Sequence, residues 1–104
     1  MTSIYREYFS YCKKWKKIYG EKTLVLIQVG NFYEIYALKD ENGIIYENNM
    51  NDIEKISFLT IAEKKNKYDG KTVLQSGFTL GCFNKFVKIF QENDYILAIY
   101  NQDA

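Results

Sequence analysis

The chain of 104 residues contains no histidine, no proline, one tryptophan and only two cysteines, Cys12 and Cys82. Without histidine there is no imidazole general base and no Ser-His or Cys-His nucleophile pair, and two thiols cannot complete an ordinary zinc cluster. Long apolar runs are missing as well: no stretch reaches the roughly 18 residues of a membrane-spanning helix, and no basic-then-apolar leader opens the chain. These absences predict an intracellular protein with no membrane segment, whose two cysteines are reduced and used for packing. Arginine is nearly lacking, one against thirteen lysines, and Asn, Ile, Lys and Tyr together supply 44 residues. That bias is expected of an AT-rich coding sequence, so part of the lysine and tyrosine surplus reflects base composition.

What is present is a globular composition, with 47% hydrophobic and 26% charged residues. The length suits one core, so residues 1–104 are expected to form a single domain. Ten Tyr and seven Phe give much of the apolar material a hydroxyl or a face suited to stacking. The net charge of +1 hides a sorted distribution. Residues 1–22 and 55–88 are basic, whereas residues 32–54 and the tail from 89 onward are acidic. A basic segment is either a polyanion footprint or a solvated face.

Ile4, Tyr8, Tyr11, Trp15 and Ile18 recur at helical spacing opposite lysines 13, 14, 16 and 17, which predicts an amphipathic helix closed by Gly20, its lysines in solvent. The uniformly apolar Thr23–Val29 reads as a central strand, Gly30-Asn31 as a break, and 32–37 as a second strand. Asn42-Gly43 predicts a turn before a short strand at 44–46, and Asn49 or Asn51 a cap for a short helix through Ile53 and Ile56. Further strands are expected at 58–62 and 72–78, separated by a loop from Glu63 to Gly70 with a tight turn at Asp69-Gly70. A second amphipathic helix is expected from about Thr79 to Asn93, and a closing buried strand at 95–100. Strands alternating with helices predict an α/β fold, a mixed β-sheet flanked by helices.

The segment with most chemical content runs from Val29 to Tyr36. In an extended strand Phe32, Glu34 and Tyr36 share one face, and Tyr33, Ile35 and Ala37 the other. An aromatic and a carboxylate then project together, and Gly30 permits the backbone conformation that holds them at a rim. An ordinary edge strand, with Phe32 in the core and Glu34 in water, has the same spacing, and spacing alone leaves both readings open.

The run Val29-Gly30-Asn31-Phe32-Tyr33-Glu34-Ile35-Tyr36-Ala37 resembles the Gly-Asp-Phe-Tyr-Glu signature near the start of MutS-family DNA mismatch-repair proteins. The similarity extends in order through the preceding helix and strand (5–28), Ser57-Phe58-Leu59-Thr60, Ser76-Gly77-Phe78 and the closing Ile96–Gln102. It therefore covers nearly the whole chain and implies the N-terminal mismatch-recognition domain of that family. By this resemblance Phe32 wedges from the minor groove of duplex DNA and stacks on a mispaired or unpaired base, and Glu34 hydrogen-bonds that base. Gly30, Asn31 and Tyr33 support the motif, and Lys64, Lys65, Lys67 and Lys71 lie where the family places basic residues, as phosphate contacts. The resemblance also implies partners and context. Mispaired or looped double-stranded DNA is the ligand, and the family dimerises through other domains. ATP and Mg belong to an ATPase elsewhere in the full-length protein, which works in an intracellular compartment containing DNA. The fragment, taken to begin at its natural Met1, is itself expected to need no cofactor or metal and to be no enzyme. Two departures stand out: Asn31 replaces the usual Asp, and Gly77-Phe78-Thr79-Leu80 lacks the family's proline.

Two other classes compete. Asp52, Glu63 and Lys65 have the Asp then Glu-x-Lys form of metal-dependent nucleases, in which carboxylates hold Mg²⁺ and the lysine steadies a phosphate. A tyrosine-rich protein-interaction domain is the third reading. Gly70-Lys71-Thr72 mimics a phosphate-binding loop, but Lys65 stands at the first glycine position and a strand follows, which excludes it.

Overall fold

A computed structural model describes residues 3–102. Helix α1 (Ile4–Tyr19) starts where the Ser3 side chain accepts the Tyr5 N–H at 3.2 Å, and it ends at Gly20, whose φ of +100° suits glycine. Strands β1 (Thr23–Val29), β2 (Phe32–Lys39) and the short β3 (Ile45–Tyr46) follow. Helix α2 (Met50–Ser57) is capped by Asn49, which accepts the Asp52 N–H. Then come β4 (Ala62–Tyr68), β5 (Lys71–Thr79), a 3-10 turn (Leu80–Cys82), α3 (Phe83–Glu92) and β6 (Ile96–Tyr100).

The six strands form one mixed sheet in the order β4-β5-β2-β1-β6, with β3 added beside β2. Only β1 and β6 run parallel; the other pairs are antiparallel. The sheet is therefore the expected α/β core, and its alternation sorts side chains to two faces. On one face, Tyr8, Phe9 and Cys12 of α1 bury against Val25, Ile27, Tyr36, Leu38 and Val73. On the other, α2 and α3 bring Met50, Ile53, Phe86 and Phe90 onto Leu24, Leu26, Tyr33, Ile35, Ala37, Leu74 and Phe78. Each fully buried large side chain contributes roughly 1.5–3 kcal/mol. The polar groups that enter are satisfied: Tyr8 donates its hydroxyl to the Val25 carbonyl at 2.8 Å, and buried Asn48 donates to Tyr8 Oη and to the Tyr36 carbonyl.

Four local expectations are corrected. The closing strand β6 lies at the sheet's edge with Ile96 and Ile99 exposed, and is not a buried strand. Residues 58–61 form no strand; Phe58 caps α2 in the left-handed region with φ +60° and is 89% exposed. The segment expected as a loop is instead strand β4, on the sheet's edge, with an irregularity between Glu63 and Lys67. From Ala62 to Lys67 its side chains are solvated on both faces and only Tyr68 packs on the core, so no apolar alternation marks it in sequence. Helix α3 begins at Phe83 because Thr79 still pairs with Phe32 and the chain turns through a 3-10 segment first. The Asp69-Gly70 turn is present, with φ +53° and +74° at its two residues, the type I′ pattern that a twisted two-residue hairpin favours.

Candidate nucleic-acid interface

Strands β1 and β2 are joined by a two-residue loop, Gly30-Asn31, flanked by the pair Val29–Phe32. Gly30 has φ +60°, and it is the loop's only positive φ, which is the glycine-first pattern of type II′. The loop is tied down on both sides. The Gly30 N–H donates to Gln102 Oε1 at 3.0 Å, Gln102 N–H donates to Gln28 Oε1 at 3.0 Å, and Leu80 N–H donates to the Asn31 carbonyl at 3.0 Å. Because the bond to residue 31 is made by its backbone, it does not depend on Asn or Asp at that position. Leu80 can make this bond because it has a backbone N–H, which a proline at that position would lack.

Beyond this loop the strand's alternation does what the spacing predicts. Tyr33 turns into the α2/α3 core, packs on Phe78 and Phe83, and donates its hydroxyl to Asn101 Oδ1 at 2.6 Å. Phe32 stands at the opposite face of the same strand end and is 48% exposed, so it is not a core residue. Glu34, two residues on, lies half-buried on the Phe32 face. Its carboxylate is held at both oxygens: Tyr36 donates its hydroxyl to Oε1, and Gln75 Nε2 donates to Oε2 at 2.9 Å. Tyr36 is itself fixed edge-on by Tyr5 and Tyr8, with ring centroids 5.1 Å away in both cases. Burial first, then the bond to Glu34, pushes the Tyr36 phenol well above its ordinary range, so it serves as a donor.

The four lysines sit elsewhere. Phe32 pairs with Thr79 and Lys39 with Thr72, so seven residues, roughly 23 Å of strand, separate the exposed phenylalanine from the lysine-rich hairpin turn. Lys64 and Lys65 are exposed on edge strand β4. Lys67 donates to Thr72 Oγ1 at 3.1 Å, and Lys71 is drawn to Asp69 at 3.7 Å and over the Tyr46 ring at 5.2 Å. The lysines thus form a flank along one sheet edge and do not converge on Phe32 and Glu34.

The carboxylates of the nuclease-like pattern have separate partners. Asp52, in the first turn of α2, accepts the Tyr95 hydroxyl at 2.6 Å, while Glu63 on β4 pairs with Lys39 at 2.6 Å. Among the described residues no group of three or more His, Cys, Asp or Glu is placed to hold a metal ion. Several residues that brace Phe32, Glu34 and their loop were not singled out as site residues from sequence: Gln28, Tyr36, Gln75, Asn101 and Gln102. The available signal was the Asn101-Gln102 pair closing an otherwise apolar strand, a polar ending that the loop hydrogen bonds now explain.

No protein-family model matches the chain. In sequence it is 33% identical, over 98% of its own length, to a DNA mismatch repair mutS homologue of Acanthamoeba polyphaga mimivirus. It spans about 9% of the length of that relative. Identity of this order, sustained along nearly the whole chain and matching a small part of a much longer repair protein, fits an N-terminal domain of the MutS family.

Proposed function

We propose that this chain recognises mispaired or unpaired bases in duplex DNA, as the reading module of a MutS-like repair protein. The observation that carries this reading is the exposed Phe32 at the tip of a tightly tied hairpin, with the Glu34 carboxylate beside it on the same face. A base step resists opening by a few kcal/mol, and least where pairing is already defective. Phe32, entering from the minor groove, offsets that cost through stacking worth about 1–3 kcal/mol, whatever the base. A wedge of this kind tolerates many mispairs but cannot by itself tell a defective pair from a flexible one. Glu34 adds the discrimination. Its carboxylate is repelled among phosphates and base acceptors unless a base N–H is free to donate, which normal pairing makes rare.

The lysines of β4 and its turn, Lys64, Lys65, Lys67 and Lys71, position the duplex by its phosphates and carry no sequence information. In this proposal the domain is a binder and not an enzyme, and it uses no cofactor or metal of its own. ATP, Mg and dimer formation belong to other parts of a full-length protein acting in an intracellular compartment that contains DNA.

The test is fluorescence anisotropy of the full-length protein with duplexes that are matched, singly mismatched or carry a one-base loop. Phe32→Ala is expected to lose roughly 10- to 100-fold of the preference for defective DNA, with matched-duplex affinity little changed. Retention of the full preference by that variant would overturn the proposal.

A further inference from the structure

The Glu34 carboxylate is fixed more firmly than a half-exposed acid on a strand requires. Tyr36 and Gln75 are directly opposed in the β2–β5 ladder, and Glu34 faces Gly77, the next residue on the same side of β5. Because Gly77 has no side chain, Gln75 can lean across the empty position and reach Glu34 Oε2. From the other side Tyr36 reaches Oε1, its ring clamped between Tyr5 and Tyr8 of α1. The three side chains form a small closed figure: one acceptor and two donors, one buried between aromatic rings, the other half-buried on the neighbouring strand. A carboxylate has about four lone-pair sites, so two donors fix its position and leave acceptor capacity for a third group.

We propose that Tyr36 and Gln75 are positioning residues for base discrimination: they preset the Glu34 carboxylate beside Phe32, so that selectivity depends on two side chains that themselves touch no DNA. This rests on the wedge reading above and deepens it. A free Glu side chain explores several rotamers and can swing toward solvent when a normal base pair offers it no donor. Swinging away would relieve the repulsion that disfavours matched DNA. A carboxylate held by two hydrogen bonds must break one of them to escape, so the penalty against paired DNA is retained. The donors thus act on specificity, and the expected signature is tighter matched-DNA binding when they are removed.

The test uses the full-length protein and the matched and singly mismatched duplexes at one fixed salt concentration. Gln75→Met keeps the length of a half-buried side chain and removes the donor, and Tyr36→Phe removes the hydroxyl alone. Each is expected to lower the ratio of matched to mismatched Kd by about 5- to 10-fold. If burial of Tyr36 makes its variant unstable, Gln75→Met alone decides. The decisive arm is a double-mutant cycle: in a Glu34→Ala background Gln75→Met should change nothing further, because its effect travels through Glu34. An unchanged ratio in Gln75→Met, or an equal loss with and without Glu34, overturns the inference. These outcomes differ from failure of the wedge reading, which Phe32→Ala reports separately by keeping its mismatch preference.

Discussion

A Cβ atom at Gly77 would stand 2.5 Å from the carbonyl oxygen of Tyr33. Real Cβ contacts do not come so close, and the obstacle is backbone of a central strand, which cannot rotate away. Gly77→Ala is therefore expected to push β5 from β2 opposite Glu34, destabilising the domain by about 1–3 kcal/mol. For a domain of this size that lowers Tm by several degrees, on the order of 4–8 °C per kcal/mol. A thermal melt checks this directly, and an unchanged Tm would show that the sheet yields there.

Phe58 presents the reverse case. It ends α2 with φ +60° and is 89% exposed, so its ring contributes little burial while its Cβ sits in the left-handed region. That conformation costs a non-glycine residue roughly 1–2 kcal/mol. Phe58→Gly should raise Tm by a few degrees after the greater chain entropy of glycine is counted. The same melt measures it, and a fall in Tm would mean that the exposed ring has a partner in the folded protein.

The lysine flank makes a prediction about salt. If Lys65 touches a phosphate, Lys65→Ala weakens matched and mismatched duplexes alike and reduces the slope of log K against log salt by about one. Titrations at three or four salt concentrations give that slope. A change confined to mismatched DNA would place Lys65 at the base and not the backbone.

Ionisation of the tyrosines should follow the core. Burial raises the phenols of Tyr8, Tyr36 and Tyr95 above their ordinary value near 10, with the bonds to Glu34 and Asp52 adding to it for the latter two. A raised pKa in the folded state means that the associated stability is complete below pH 10 and is lost as pH rises above it. Absorbance at 295 nm should then show these three ionising only as the circular dichroism of the fold disappears. The Cys12 thiol, pushed up to about 12 chiefly by burial, should resist alkylation over the same range until that transition.

Much of this arrangement was legible in the sequence. Helix α1 and the two faces of β2 announce themselves through apolar periodicity, and β1 and the closing strand through nearly unbroken apolar runs, because each packs against another element. Strand β4 does not, since Lys64, Lys65 and Lys67 are wet on every side and the strand is held by backbone pairing to β5. The Phe32–Glu34 pair could be read from a two-residue alternation. The Tyr36–Glu34–Gln75 figure could not, because it depends on which residue of β5 lies opposite Tyr36, and that register is set by the whole sheet.

The loop that carries Phe32 closes through Gln102, 72 residues further along the chain than Gly30. The parallel partner of β1 is likewise β6, the last strand among the described residues. During synthesis the hairpin at 30–31 can pair early with its own strands, but its bonds to Gln102 wait for that residue to be made. Contacts that span so much chain form late and slowly. A nascent chain shorter than Gln102 therefore holds Phe32 on a loop that lacks these ties.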